Sequence, residues 1–253
     1  MIDIHSHILP GLDDGASTFE VALSMVQLAA AAGTTDIVAS PHANSQFAFD
    51  PGVVERKIAE LQQAVGDLIR IHCGCDFHLT PENIEDAIAN PGKYSIDHKG
   101  YLLVEFSDFF IPPTMDRIFD RMISAGLRPI VTHPERNPLL RKKLADLESW
   151  VQRGCLIQVT AQSFIGKFGS SAKSFSDELM RRGLIHLLAS DGHDCIHRPP
   201  VLQEAWRYTA KRHGEEWARL LLEDGPRATL TGADVPFGEI ETRKKTWFSF
   251  FRS

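Results

Sequence analysis

Short apolar runs alternate with amphipathic stretches along most of the chain. The amphipathic stretches repeat apolar residues every three to four positions, as a helix with one buried face does. The apolar runs are short and suit strands that are buried on both faces. The seven predicted strands span residues 1–5, 36–40, 68–73, 101–106, 129–132, 156–160 and 184–189.

Capping residues predict helices between these strands. Ser17 and Glu20 match a capping box, and the helix that they open ends at Gly33. Three more helices are predicted to begin at an Asp, Thr or Asn followed by proline, because proline suits the first helical position. These three starts lie at residues 50–51, 80–81 and 137–138, two further helices are predicted over residues 114–125 and 174–182, and two follow the last strand.

This alternation of strands and helices predicts an α/β fold with a parallel sheet covered on both faces. The residues after the first strand, HSHILPGLDDGA, lack the GxGxxG fingerprint of dinucleotide-binding sheets. The pattern therefore favours a closed or nearly closed barrel over an open, doubly wound sheet. We expect one domain over residues 1–240 and a basic, aromatic tail over residues 241–253.

Composition narrows the class of protein. A length of 253 residues fits a single α/β barrel, which typically has about 250. The contents of 43% hydrophobic and 24% charged residues are typical of a soluble globular protein, and the net charge of −6 argues against a nucleic-acid binder. We find no signal peptide, no apolar stretch of transmembrane length and too few cysteines for a disulfide scaffold. We therefore expect a cytoplasmic protein.

Nearly every predicted strand ends in a side chain that can bind a metal. The carboxyl ends of barrel strands open on one rim, where barrel enzymes keep their active sites. His5 and His7 are two residues apart, so an extended backbone points both to one side, and Asp191 and His193 share this spacing. The other strand-end candidates are His42, Asp76, Glu105 and His133. Only the sixth strand ends in poor ligands.

This mixture of imidazoles and carboxylates suits Mn, Fe or Zn, and it exceeds the needs of one ion, so two or more metals are predicted. Each residue alone is weaker evidence. Asp14 precedes a glycine and is typical of a turn, and His133 could be a core histidine. Glu105 is harder to explain structurally, because a buried carboxylate needs a partner. The position of His78, two residues after Asp76, is ambiguous.

Two arginines lie on loops that leave the same rim. Arg136 follows His133 by three residues, and Arg198 follows His193 by five. Planar guanidinium groups bind phosphate through paired hydrogen bonds. We therefore expect both arginines to contact a phosphate group.

Five segments resemble, in order, the motifs of the PHP (polymerase and histidinol phosphatase) superfamily: HSHILPGLDDGA, SPHA, LLVEF, THPERN and LASDGH. More narrowly, residues 1–225 are similar to the bacterial PHP-type protein-tyrosine phosphatases of capsule and exopolysaccharide operons. The resemblance implies a distorted, TIM-like (β/α)7 barrel with two or three divalent metal ions, Mn first and Fe or Zn as alternatives.

Carried over to this chain, the resemblance implies three metal sites and a phosphate-binding arginine pair. The implied ligands are His5, His7 and Asp191 for one metal, Glu105 and His133 for a second, and Asp14, His42 and His193 for a third. A glutamate usually bridges the first two metals in a G-x-E motif, but this chain has Gly74-Cys75-Asp76 there. Asp76 keeps the charge and is one methylene shorter. Arg136 and Arg198 match the phosphate-binding arginines.

The implied reaction is hydrolysis of phosphotyrosine on a membrane-associated bacterial tyrosine kinase that controls polysaccharide export. Metal-activated water would attack phosphorus without a covalent intermediate. The route of the cysteine-dependent tyrosine phosphatases is excluded, because no cysteine here is followed six positions later by an arginine.

Several alternatives remain open. A phosphatase for small monoesters, such as histidinol phosphate, would use the same metal ligands with different rim loops. A weakly active, metal-binding regulatory module is kept open by Asp76. An amidohydrolase also begins with HxH, but it commonly has a lysine where Glu105 stands. The tail segment RKKTWFSFFR, residues 243–252, would either contact a membrane surface or a partner, or fray at the terminus.

Overall fold

The computed structural model describes residues 1–237. The predicted tail and the last three residues of the predicted domain lie outside this range. The strands are β1 (Ile2–Ser6), β2 (Asp36–Ala39), β3 (His42–Ala43), β4 (Arg70–Cys73), β5 (Asp76–His78), β6 (Tyr101–Glu105), β7 (Arg128–Thr132), β8 (Leu156–Thr160) and β9 (Leu187–Ala189).

Helices separate most of these strands. They are α1 (Phe19–Ala31), α2 (Pro51–Val65), α3 (Pro81–Ala89), α4 (Met115–Ser124), α5 (Leu144–Gln152), α6 (Ala161–Phe164), α7 (Gly169–Arg181), α8 (Gln203–His213), α9 (Glu215–Arg219) and α10 (Gly225–Thr231). A π-helical segment, Leu220–Asp224, joins the last two, and short 3-10 helices span Gly66–Leu68, Ile96–His98 and Leu140–Lys142. None of the helices within residues 1–237 is long and apolar enough to span a bilayer.

All strand pairs are parallel, which confirms the predicted α/β class. The strands form two sheets, β1-β2-β4 and β3-β5-β6-β7-β8-β9. Just after the predicted second and third strands the chain passes into the other sheet, from β2 to β3 across Ser40-Pro41 and from β4 to β5 across Gly74-Cys75, so each of these barrel strands is split. A parallel bridge between Ser6 and Gly192 brings the end of β1 next to the residues after β9.

The observed N-cap residues of the helices agree only in part with the predicted ones. Asp50 and Thr80 cap α2 and α3 as predicted. The predicted capping box at Ser17 is wrong by one residue, because Oγ1 of Thr18 accepts the hydrogen bond from Val21 N at 3.4 Å. The side chain of Asn137 accepts hydrogen bonds from two backbone N–H groups but opens only a 3-10 turn.

Three predicted boundaries are wrong because local patterns do not show where tertiary contacts end an element. Helix α5 begins at Leu144, not at residues 137–138, and α7 begins at Gly169, five residues before the predicted start. The last strand has only three residues, Leu187–Ala189.

One apolar cluster contains side chains from strands of both sheets. It contains fully buried side chains from β1, β6 and β9, among them Ile4, Leu103 and Leu187. Burial of such a side chain stabilises the fold by roughly 1.5–3 kcal/mol. The polar residues at the strand ends thus follow buried apolar residues on the same strands.

Candidate metal centre

The predicted ligands lie together at the carboxyl ends of the strands. Four overlapping groups each offer ligand atoms within 4.8 Å of one another. The groups are His7, Asp14, His42 and His193; His42, Asp76, His78 and Glu105; His5, His7 and Asp76; and His5, His133 and Asp191. They contain all nine predicted ligands and one residue that the sequence left ambiguous, His78.

Each histidine of the HxH pair has one ring nitrogen held by the protein. Nδ1 of His5 lies 3.0 Å from Oε1 of Gln158, and Nδ1 of His7 lies 2.7 Å from Oδ2 of Asp13. The two Nε2 atoms face each other at 3.3 Å. Metal-binding histidines typically have this arrangement, because a partner on the other nitrogen fixes the ring and its tautomer.

Sequence reasoning missed both of these partners. Asp13 precedes the predicted ligand Asp14, and the double Asp in LDDGA was the available signal. Gln158 lies inside β8, two residues before Thr160 and on the same face of the strand. Gly15 allows the Asp13 loop to approach His7, because a Cβ at this position would lie 2.1 Å from the His7 carbonyl oxygen.

Asp76 connects the groups. Its fully buried side chain places Oδ2 at 3.4 Å from His5 Nε2 and at 3.2 Å from His42 Nδ1. Within residues 1–237, both carboxylate oxygens of Asp76, Nδ1 of His42 and Oε2 of Glu105 are buried without a hydrogen bond. Burying such atoms unpaired is costly, so this donor set fits a bound cation.

Both predicted phosphate ligands pair with Asp191. Arg136 and Arg198 each donate a hydrogen bond to its Oδ2, while its Oδ1 lies 3.5 Å from His5 Nε2 and 3.4 Å from His7 Nε2. Burial raises the pKa of Asp191, but these cationic and imidazole neighbours hold it well below its usual value. The structure thus places the arginines against the candidate metal ligands, a pairing that the sequence did not predict.

Two of the predicted ligands have left-handed backbone conformations. His133 has a φ of 33° and Asp191 a φ of 52°. Such conformations cost about 1–3 kcal/mol in non-glycine residues and occur mainly at functional sites. The conformations are held by backbone hydrogen bonds from His133 N to Gln158 O, at 2.8 Å, and from Asp191 N to His5 O, at 2.9 Å.

The protonation of the histidines differs across the centre. Burial, together with Arg136, lowers the pKa of His133 to about 3, so this imidazole is neutral and can act as a ligand. Burial lowers the pKa of His7 and His42, but nearby carboxylates outweigh it and raise the values to about 9 and about 11. A cation that enters the centre would therefore displace protons from these two rings.

A pocket of about 350 Å³ opens beside the ligands. His78, Glu105, His133 and Arg136 line it, together with aromatic side chains of the segment after β6. Phe109 in this loop lines the pocket although 94% of its surface is exposed. The pocket can therefore hold a polar group near the ligands and an apolar group near its mouth.

Comparisons with known proteins agree over almost the whole chain. Residues 1–231 match the family model described as "Capsular polysaccharide synthesis, CpsB/CapC". The tyrosine-protein phosphatase YwqE of Bacillus subtilis is 32% identical over 88% of this chain and 89% of its own length. CapC of Staphylococcus aureus is 31% identical over 98% of this chain and 99% of its own length.

Solved structures give the same result. A chain from the crystal structures of YwqE from Bacillus subtilis and CpsB from Streptococcus pneumoniae, described as "unique metal-dependent tyrosine phosphatases", superposes with a TM-score of 0.87 and 30% identity. The match covers 94% of this chain and 97% of that one. A lactonase from Listeria monocytogenes, at 13% identity and a TM-score of 0.57, shares the fold alone, and it covers 94% of this chain and 95% of its own.

Proposed function

The chain belongs to the CpsB/CapC family of capsular polysaccharide synthesis, and we propose that its metal centre and paired arginines hydrolyse phosphotyrosine in a protein substrate. The family and the tyrosine-phosphatase activity predicted from the sequence motifs are confirmed by the relatives. The observation that carries the residue assignment is the convergence of nine predicted ligands on one rim, with both arginines bound to Asp191.

The scaffold of this site is one distorted, TIM-like barrel of seven βα units. Two observations support the closure of the barrel. The Ser6–Gly192 bridge joins the first and last strand ends, and one apolar cluster draws side chains from both sheets. The splits in the second and third strands account for the distortion.

The centre holds two or three divalent cations, Mn in the first place, with Fe or Zn as alternatives that the same donors accept. The proposed ligand sets are His5, His7 and Asp191; Glu105 and His133; and Asp14, His42 and His193, with Asp76 between the first two. The buried, unpaired oxygen and nitrogen atoms of Asp76, Glu105 and His42 support this assignment. When bound, the cations would lower the pKa of a bound water and offset phosphoryl charge.

The arginines bind the phosphoryl oxygens of the substrate. Arg136 lines the pocket, and its guanidinium lies 4.8 Å from the centre of the Phe168 ring, which keeps it beside Asp191. Charge-assisted hydrogen bonds from Arg136 and Arg198 strengthen as negative charge builds up on these oxygens. The pair thus orients the phosphate and stabilises the transition state.

The walls of the pocket explain a preference for an aryl phosphate. A phosphate beside Arg136 and His133 would place the rest of the substrate near the exposed Phe109, which lines the same pocket. We expect the phenyl ring of phosphotyrosine to contact Phe109, a contact that phosphoserine lacks. The exposure of Phe109 favours a protein substrate, such as a bacterial tyrosine kinase, over histidinol phosphate.

The test is hydrolysis of a phosphotyrosine peptide by protein that has been stripped of metal and refilled with Mn, Fe, Zn or nothing. A phosphoserine peptide and histidinol phosphate are the comparison substrates. We expect turnover that depends on metal and prefers phosphotyrosine. Turnover of histidinol phosphate alone would show that the enzyme acts on small phosphate esters. Full metal occupancy without turnover of any substrate would favour a regulatory module.

A further inference from the structure

His78 lies at the carboxyl end of β5, between the candidate ligands of the two neighbouring strands. The parallel register sets Asp76 beside His42 of β3 and sets His78 beside Glu105 of β6. Residues two apart on a strand share a face, so Asp76 and His78 point to the same side. The four side chains form one compact patch across three adjacent strands.

The ligand atoms of this patch are close enough to surround one ion. Nε2 of His78 contacts Oε2 of Glu105, and Nδ1 of His42 lies 3.2 Å from Asp76 Oδ2 and 3.4 Å from Glu105 Oε2. The atoms of all four residues lie within 4.8 Å of one another. Ligand atoms that bind one cation at about 2.0–2.3 Å are themselves about 3–4 Å apart.

Hydrogen bonding does not account for the patch. Nε2 of His78 touches Oε2 of Glu105, but within residues 1–237 these two atoms make no hydrogen bond of normal geometry, nor does either carboxylate oxygen of Asp76, and all four atoms are buried. The carboxylates of Asp76 and Glu105 both lie against Nδ1 of His42, and Glu105 also contacts Nε2 of His78. A cation supplies the missing positive charge, and His78 offers a nitrogen lone pair to it.

The two ring nitrogens of His42 face different groups. Its Nε2 lies 3.3 Å from Oδ1 of Asp14, and its Nδ1 faces Asp76. A neutral imidazole has one nitrogen lone pair to offer, because the other nitrogen carries the proton. His42 can therefore bind a cation through only one of its two ring nitrogens. A cation beside the other nitrogen needs the lone pair of a second imidazole.

We propose that Nε2 of His78 binds a divalent cation together with Asp76 and Glu105. His42 is then free to bind the ion of Asp14 and His193 through its Nε2. The inference rests on the proposed metal-dependent function and adds a ligand that the sequence motifs do not assign. His78 also lines the substrate pocket, so this ion lies next to the phosphate site.

The test compares metal binding by wild-type protein, His78→Gln and His98→Gln. His98 is the matched control, since it is an exposed histidine that lies near Glu55 and outside the centre. Each protein is stripped with a chelator and titrated with Mn²⁺ in a calorimeter, and bound metal is counted after dialysis. We expect His78→Gln to lose one equivalent or to bind it at least about tenfold more weakly, with the control unchanged.

A second readout uses Co²⁺, whose visible absorption reports the ligands directly. A changed spectrum in His78→Gln, beside an unchanged spectrum in His98→Gln, supports the proposal. If His78→Gln binds the same number of Mn²⁺ ions as tightly as wild type, the proposal is wrong, even if turnover falls. If the wild type itself binds no metal, the proposed function fails with it.

Folding of the variants is checked by thermal unfolding of the metal-free proteins. Comparable metal-free midpoints with a smaller Mn²⁺-induced rise for His78→Gln support the assignment. His78→Asn is the second variant and is measured in the same way if the glutamine variant unfolds. Equal Mn²⁺-induced rises in the folded variant and in wild type would overturn the proposal.

Discussion

Two histidine–carboxylate clusters in this fold differ in what their ring nitrogens contact. In the first, which we call the His72 cluster, Nδ1 of His72 lies 2.6 Å from Oδ2 of Asp97 and Nε2 lies 3.1 Å from Oδ1 of Asp36. Both nitrogens have a partner, so the ring joins β4, β2 and the 3-10 helix Ile96–His98. Such a cluster is complete without a ligand.

In the candidate metal centre, by contrast, only Nδ1 of each HxH histidine lies within 3.0 Å of a carboxylate or amide oxygen, whereas the nearest carboxylate oxygen to each Nε2 is 3.4 Å away. The Nδ1 atoms of His5 and His7 face Gln158 and Asp13, while the Nε2 atoms turn to each other and to Asp191. The same residue types thus serve two purposes. The His72 ring, with a close carboxylate at both nitrogens, stabilises the fold. The rings of His5 and His7, with a close partner at Nδ1 only, are suited to offer the Nε2 lone pair to an ion.

Removal of a ligand from the centre should have the largest effect on activity. We expect His5→Ala to lower kcat/KM for a phosphotyrosine peptide more than about 1,000-fold, because water activation depends on the ions that His5 helps to hold. The measurement is steady-state turnover in saturating Mn²⁺. His72→Ala, the control from the other cluster, should retain activity at a temperature where it is folded. Full activity of His5→Ala would refute the proposed centre.

The arginines allow a second contrast. Arg136→Lys should reduce kcat about 100-fold, because a lysine cannot give the paired hydrogen bonds that stabilise the transition state. Arg128→Lys is the control. Arg128 donates to the Tyr101 hydroxyl at 2.8 Å, lies 3.0 Å from an oxygen of Asp234 and has no contact with the centre. A similar loss of activity in both variants would contradict a specific role of Arg136.

The partners of the ligand rings should tune the metal affinity. We expect Asp13→Asn to weaken Mn²⁺ binding about 10- to 100-fold, since Asp13 fixes the ring of His7. Asp97→Asn is the control, because it removes the partner of His72 and should lower stability without a change in Mn²⁺ affinity. Isothermal titration measures both. Equal affinities in Asp13→Asn and wild type would show that Asp13 only shapes its loop.

The geometry of parallel strands explains why the candidate ligands could be predicted from the sequence. The carboxyl ends of parallel strands meet at one rim, so strand ends such as Glu105 and His133 converge without any knowledge of packing. The roles of Asp13 and Gln158 could not be predicted, because they depend on side-chain contacts between residues far apart in the chain. The arginine pairs with Asp191 were missed for the same reason.

The strand splits were also missed. The short strands β3 and β5 begin with the polar residues His42 and Asp76, so no apolar run marks them. A Cβ on Gly74 would lie 2.6 Å from Cγ1 of Val38, a close approach that no local pattern shows. Because the split was unseen, His78 was read as a residue beyond the strand rather than as a residue of β5.

The His72 cluster should contribute to stability in a limited pH range. Carboxylates raise the pKa of His72 above 6.5, despite burial, and His72 lowers the pKa of Asp97 below 3.8. The pKa of Asp36 is also lowered, first by its hydrogen bond with Thr35 and then by His72. The stabilisation is therefore full between about pH 3.8 and 6.5. It is lost as the pH rises through the folded pKa of His72 or falls through those of the carboxyl groups.

We expect His72→Ala to reduce the free energy of unfolding by about 1–3 kcal/mol near pH 5.5, and by less above neutral pH. Urea unfolding of metal-free wild type and variant at both pH values measures this difference. A difference that grows as the pH rises would show that His72 acts through packing rather than through its charge.

The smallest expected effect concerns a residue that contacts the substrate and does not belong to the metal centre. Phe109→Ala should raise KM for a phosphotyrosine peptide about 2- to 10-fold, because loss of an aromatic contact costs about 0.5–1.5 kcal/mol. Its kcat should be unchanged, since no ligand is disturbed. Phe110→Ala is the control, because Phe110 is also exposed but does not line the pocket. An equal rise in KM for both variants would mean that the loop binds peptide generally, and that the aryl preference arises elsewhere.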